Sequence, residues 1–233
     1  DENGVTHKEF EVTDITGQVE EEISKPDVKS NGGKVLRTIL ERCLTRIGSY
    51  TRKEVGNSKW RHIIQSLCVG DQDYAVLIIR KESIGSELEF AHKCPNCNQD
   101  LKTIVDVSEL EIIPFKGYRE IEFELPKGYR DKDGVLHTTG IIRLPNGEDR
   151  EVLDPIARKN LGQANTMLLT RCVKEFDGLK IYDELIRNLS IKDREYLLKV
   201  LQENIFGINL ETVVNCSACG EEIKGTLNAV NFI

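Results

Sequence analysis

No stretch of this 233-residue chain approaches the roughly 18 consecutive apolar residues of a membrane span. Residues 1 to 30 also lack the basic-then-apolar pattern of a secretory leader. The expectation is a soluble product made in the cytoplasm. Positive charge is in short supply too. Against 39 acidic residues stand 32 Lys and Arg, a net charge of −7, and non-specific nucleic-acid binding needs a positive field to displace counterions. Catalytic signatures are missing: there is no GxSxG, HExxH, P-loop or Rossmann glycine pattern. His7, His62, His92 and His137 stand apart from any serine or cysteine nucleophile pattern, and the carboxylates are scattered. With no group placed to pair a nucleophile with a base, the expectation is a protein that is not an enzyme.

What the chain has is cysteine, seven in all. Four form two short pairs far apart in sequence, Cys94-Pro-Asn-Cys97 and Cys216-Ser-Ala-Cys219, each followed by a polar turn residue and a strand-like run. Two residues between cysteines let both thiolates reach one tetrahedral metal at about 2.3 Å, as in the knuckles of a zinc ribbon. A redox CxxC normally occurs once, near a βαβ unit. Structural zinc held by Cys94, Cys97, Cys216 and Cys219 is therefore the expected cofactor, with no coordination position left open for chemistry. His92 is close enough to suggest a mixed site, but four cysteines suffice and it reads as a strand residue. Cys43, Cys68 and Cys172 sit among apolar neighbours and are expected to be buried core thiols.

Periodicity gives an α+β fold with discontinuous parts. Residues 1–86 read as a strand (Phe10 to Ile15) and three amphipathic helices, Lys34 to Ile47, Ser58 to Gly70 and Asp71 to about Ser83. Along them Arg37, Arg42, Arg46, Arg52, Lys53, Lys59 and Arg61 form a solvated face or a partner surface. Residues 87–114 form the first half of the ribbon. Residues 115–209 are an insertion: antiparallel hairpins with an Asn146-Gly147 turn, then a helix begun by Asp154-Pro155 as N-cap and first residue, a short element at Ile181 to Leu189, and a helix capped by Ser190. Residues 210–233 supply the second half and an apolar tail of Leu227, Ala229, Val230, Phe232 and Ile233, expected to dock. Closing a loop of roughly 120 residues between the knuckles is entropically costly, a cost that metal binding offsets.

Several stretches in order, FEVTDITG (Phe10 to Gly17), the helix ending in Arg46-Ile47-Gly48, LCVGDQD (Leu67 to Asp73), LEFAHKCPNC (Leu88 to Cys97) running into DVSEL (Asp106 to Leu110), Asp193-Arg194-Glu195 and the terminal CxxC, resemble the T-even-type baseplate protein family of contractile-tailed phages. The likeness is densest over residues 10 to 115 and weakest around 126 to 150. Gln72 stands where similar sequences often carry Arg, and Asn98 where a glycine usually follows a knuckle.

The resemblance implies a non-enzymatic virion component of the tail baseplate near the hub. It would be assembled in the host cytoplasm, present in multiple copies and in contact with other baseplate and tail hub proteins, with no nucleic-acid or membrane partner. Two other readings stay open: a tail assembly chaperone absent from the mature particle, and a zinc-ribbon nucleic-acid binder, which the acidic balance disfavours.

Overall fold

The computed structural model describes residues 7–227 and Ala229. Residues 1–6 and the tail positions Val230, Phe232 and Ile233 lie outside the described residues. Strand β1 (Phe10–Val12) leads into short helices α1 (Gly17–Ile23) and α2 (Pro26–Lys29). Helix α3 (Gly32–Cys43) begins where the Asn31 side chain accepts the Lys34 N–H at 3.1 Å, and buries Val35, Leu36, Ile39, Leu40 and Cys43 along one face. The expected helix through Ile47 stops early. Leu44 is already extended, and strand β2 (Leu44–Ile47) pairs antiparallel with β1. Leu44 and Ile47 satisfy helical spacing, yet both are buried just as well from the strand, and pairing to β1 decides between the two.

Strand β3 (Tyr50–Thr51) completes this sheet. Helix α4 (Arg52–Ser66), broken at Gly56 (φ +76°), buries Trp60 and Ile64, and α5 (Val69–Ser83) buries Ala75, Val76, Leu77 and Ile79. Two hairpin strands follow, β4 (Glu87–Lys93) and β5 (Asp100–Asp106), then β6 (Ile112–Ile113). Strands β7 (Glu120–Arg130) and β8 (Leu136–Arg143) pair antiparallel, with a register shift between Glu124 and Tyr129.

Asn146-Gly147 is not the expected hairpin turn. It opens helix α6 (Gly147–Ala157) through a capping box: Asn146 Oδ1 accepts the Asp149 N–H at 3.0 Å, and Asp149 Oδ2 accepts the Asn146 N–H at 2.9 Å. Asp154-Pro155 is likewise inside α6, not at its start. A proline there removes the hydrogen bond to the carbonyl four residues back; that carbonyl, of Glu151, accepts Asn31 Nδ2 at 2.8 Å instead. The next cap is Asn160, which opens α7 (Leu161–Cys172).

Strand β9 (Val173–Phe176) joins β8, and α8 (Asp183–Asn188) and α9 (Ile191–Glu203) cover the sheet β7-β8-β9. Short strand β10 (Gly207–Ile208) pairs with β6, and β11 (Glu211–Asn215) with β12 (Glu222–Thr226). Helices and antiparallel sheets thus make an α+β fold.

Two apolar cores result. One gathers α3, α4 and α5 and takes in Leu88, Val107, Ile208, Leu227 and Ala229, so the bases of both cysteine hairpins are rooted in it. The other lies between β7-β8-β9 and helices α7, α8 and α9. The expected core thiols are buried: Cys43 in the first, Cys68 and Cys172 in the second. Loss of solvent pushes Cys43 up to about 11 and Cys172 up to about 12, so neither is a reactive thiolate at neutral pH.

The LCVGDQD stretch is where the two cores meet. Val69 N–H donates to Pro145 O at 3.1 Å, and Gly147 N–H to Leu67 O at 3.0 Å. Gln72 is buried and donates to Ile64 O at 2.9 Å, while Arg150 pairs with Asp73 at 2.8 Å. Gly70 lies against the Phe206–Gly207 backbone so closely that a Cβ would stand 2.0 Å from Phe206 O. Backbone on both sides leaves no soft group to yield. Gly70→Ala is expected to cost about 2–3 kcal/mol or more, read as a lower denaturant midpoint at unchanged m-value.

Candidate metal centre

Each cysteine pair sits at the tip of a two-stranded ribbon, β4-β5 or β11-β12. The two tips are the same turn. Cys94 N–H donates to Gln99 O at 3.0 Å and Cys216 N–H to Glu221 O at 2.8 Å; Asn98 N–H returns to Cys94 O at 3.0 Å and Gly220 N–H to Cys216 O at 2.9 Å. Both Asn98 (φ +58°) and Gly220 (φ +74°) are left-handed. Glycine adopts that conformation freely and asparagine is among the few other residues that do. The departure at Asn98 therefore preserves the turn.

The tips face one another across 119 residues of sequence, with Cys97 Sγ 3.7 Å from Cys216 Sγ. Cys94 Sγ and Cys219 Sγ are also 3.7 Å apart, and the four sulfurs lie within 4.8 Å of one another. A tetrahedron of sulfurs at about 2.3 Å from a zinc ion has an edge of about 3.8 Å. The donor set therefore fits a tetrahedral thiophilic ion without rearrangement of the backbone. Cys94 and Cys216 are buried, while Cys97 and Cys219 face solvent.

Asn96 Nδ2 donates toward Cys219 Sγ at 3.7 Å, a contact between the two knuckles that spacing alone does not reveal. Metal-ligand sulfurs are commonly supported by such outer donors. Four thiols this close cannot ionise alike without a cation. The Gln99 N–H favours the Cys97 thiolate, but lost solvent and the neighbouring sulfurs outweigh it and push that thiol up to about 12. The Cys219 and Ala218 N–H groups pull Cys216 down to about 7.

Among the described residues, Leu101 and the partly buried Ile223 accompany Cys94 and Cys216 in a third, small cluster. Two-stranded ribbons are at best marginal on their own.

The other residues singled out in the sequence are placed as follows. His92 lies in β4 opposite Leu101. Most of the basic residues do not form an open cationic face. Arg37 binds Glu41 and Glu151, Arg61 binds Glu41, Arg42 binds Glu22, and Arg46 binds Glu11. Lys59 sits over the Tyr50 ring, Arg52 contacts Asn57, and Lys53 is exposed. Among the described residues no helix is long and apolar enough to cross a membrane.

The chain is thus an α+β protein with two cores and four cysteines close enough to hold a metal ion between two hairpins. Residues 29–143, just under half of the chain, match the family described as T4 bacteriophage base plate protein. The match runs from the end of α2 through β8 and includes Cys94 and Cys97, and it supports a T4-type baseplate protein. No curated protein and no solved structure matches the chain.

Proposed function

We propose that this chain is a structural, non-enzymatic component of a contractile phage tail baseplate, stapled by one zinc ion in a ribbon split between residues 87–114 and 210–233. It binds other baseplate and tail hub proteins near the hub and remains in the virion. The family match supports the baseplate role. The observation that carries the zinc reading is the convergence of four protein sulfurs, two pairs of them 3.7 Å apart, from hairpins distant in sequence. With all four positions filled by protein, the ion has no vacancy for water or substrate, and its binding free energy becomes folding free energy. Residues 1–86 and 115–209 pack directly against each other, and the ion closes the ribbon formed by the two segments between and after them.

Quantitative mass spectrometry of purified tail particles tests the role. Recovery in fixed proportion to other baseplate proteins is expected. Presence in assembling cells but absence from mature particles would assign the chain to the chaperone class instead.

Metal retention should also depend on pH. Zinc binds thiolates, so its binding displaces thiol protons, and the stabilisation is present at neutral pH and above and is lost as pH falls and protons compete for sulfur. Zinc release on acid titration, followed with a chromogenic chelator, is expected to coincide with loss of the β4-β5 and β11-β12 signals in NMR. Release without any change in those strands would contradict a structural role for the ion.

A further inference from the structure

The two cores contain the same unit twice. Pro26, Asn31, Gly33, Leu40, Arg42 and Cys43 recur as Pro155, Asn160, Gly162, Leu169, Arg171 and Cys172 at one constant separation. The geometry repeats with the residues. Asn31 and Asn160 cap α3 and α7, accepting from Lys34 and Gln163 N–H at 3.1 and 3.0 Å. Both helices end at the cysteine and pass directly into a strand, β2 or β9, and then into a left-handed residue, Gly48 (φ +54°) or Asp177 (φ +43°).

The strand before each unit pairs back in the same register. Phe10↔Ile47, Glu11↔Arg46 and Val12↔Leu44 match Gly140↔Phe176, Ile141↔Glu175 and Ile142↔Val173, with a bulge at the same step. Gly17 and Gly147 both open the first helix of their unit. Helix α6 is thus the counterpart of α1-α2, and α7 of α3.

The two units do not meet as symmetric partners. Helix α3 has its own α1 on one flank and the other unit's α6 on the other. There Asn31 Nδ2 donates to Glu151 O at 2.8 Å, Gly32 N–H to Asp154 Oδ2 at 3.0 Å, and Arg37 Nε to Glu151 Oε2 at 2.8 Å. Gly33 permits this approach, because a Cβ there would stand 2.5 Å from Glu151 Cα.

The first turn of the matching face of α7 is uncovered among the described residues, although further along Arg194 donates to buried Thr166, the counterpart of Arg37, at 2.9 Å. Asn31, Gly32 and Gly33 are buried, whereas Asn160, Leu161 and Gly162 are exposed, Leu161 by 66%. Gly162 has only the Asn160 side chain near its Cβ direction, at 3.4 Å. A glycine in a helix costs up to about 1 kcal/mol relative to alanine, and nothing within the chain requires one here. Conversely α1, the counterpart of α6, carries exposed Glu21 as many residues after its opening glycine as Glu151 lies after Gly147. Exposed Glu20 and Glu21 on α1 have their opposite charge in exposed Lys159 before α7, whereas Glu22 is already paired with Arg42 and Arg158 with Asp154.

We propose that the exposed face of α7 in one copy receives the α1 segment of a second copy, repeating between molecules the α3–α6 contact within each. Such a contact is heterologous, joining different surfaces of identical chains, and it extends to a ring or a row, as copies in a symmetric particle require. It does not depend on the metal.

Sedimentation velocity of the intact, metal-loaded chain from about 1 to about 100 µM tests it. The wild type is expected to associate as concentration rises. Gly162→Leu and Glu21→Lys should each weaken that association by about tenfold or more, while thermal unfolding shows Gly162→Leu as stable as the wild type, since the side chain enters open space. A wild type that stays monomeric throughout would overturn the proposal. So would association that survives both substitutions, because it would run through another face.

Discussion

Stripping zinc from the folded chain with a strong chelator at neutral pH is expected to unravel the two cysteine hairpins while leaving the two helical cores largely in place. Among the described residues the tips have little apolar packing of their own, and each ribbon has two strands. Structural zinc sites contribute on the order of 10 kcal/mol of apparent binding free energy, far more than two marginal hairpins can supply. The hairpin bases differ, since Leu88, Val107, Ile208 and Leu227 belong to the first core. Hydrogen exchange should therefore report lost protection in β4, β5, β11 and β12, with smaller changes in α3 and α5. Cys97→Ser and Cys216→Ser should each reproduce the effect without chelator, and re-addition of zinc should restore only the wild type. Protection unchanged after complete metal removal would place the hairpins' stability elsewhere.

The second large effect belongs to Asp149. This carboxylate has no solvent exposure and takes Arg143 Nη1 at 2.6 Å, Arg171 Nε at 2.6 Å and the Asn146 N–H at 2.9 Å. Burial by itself would raise its pKa, but Arg143, the Asn146 amide and Arg171 outweigh burial and hold it below the usual carboxylate range. Asp149→Asn keeps the shape and removes the charge, leaving Arg143 without its counter-ion and Arg171 with only Glu148, at 3.4 Å, at the start of α6. A loss of about 3–5 kcal/mol is expected, roughly a 10 °C fall in melting temperature for a chain of this size.

The pH dependence has a definite sign. The pKa is depressed on folding, so the stabilisation is complete above the unfolded value of about 3.9 and is lost as pH falls through the lower folded value. The wild type should therefore lose stability in that acid window, and Asp149→Asn should lose less there. Equal acid sensitivity in both would mean that Asp149 is not the titrating group.

The convergence of the four cysteines was legible because CxxC spacing is a local property: the turn declares itself within four residues, and two copies point to one another. The helical stretches were legible for the same reason. What failed was the choice between elements that a single pattern permits. Leu44 and Ile47 fit a helix and a strand alike, and only pairing with β1 settles it. Asn146-Gly147 reads equally as a hairpin turn or as cap and first residue; Asp149, three residues after the cap, is the capping-box signal that separates them. Asp154-Pro155 imitates a helix start, and its place inside α6 depends on Asn31, distant in sequence, to satisfy the freed Glu151 carbonyl. The duplicated unit was present in the residues themselves, as the recurrence of Pro, Asn, Gly, Leu, Arg and Cys. It was hidden by low identity between the copies and by the hairpin that separates them.

X-ray absorption at the zinc edge, with metal content per chain, tests the shared four-thiolate ion most directly. One zinc per chain surrounded by four sulfurs at about 2.3 Å is the expected result. Chains that carry no metal, or a first shell containing nitrogen or oxygen in place of a sulfur, would contradict it.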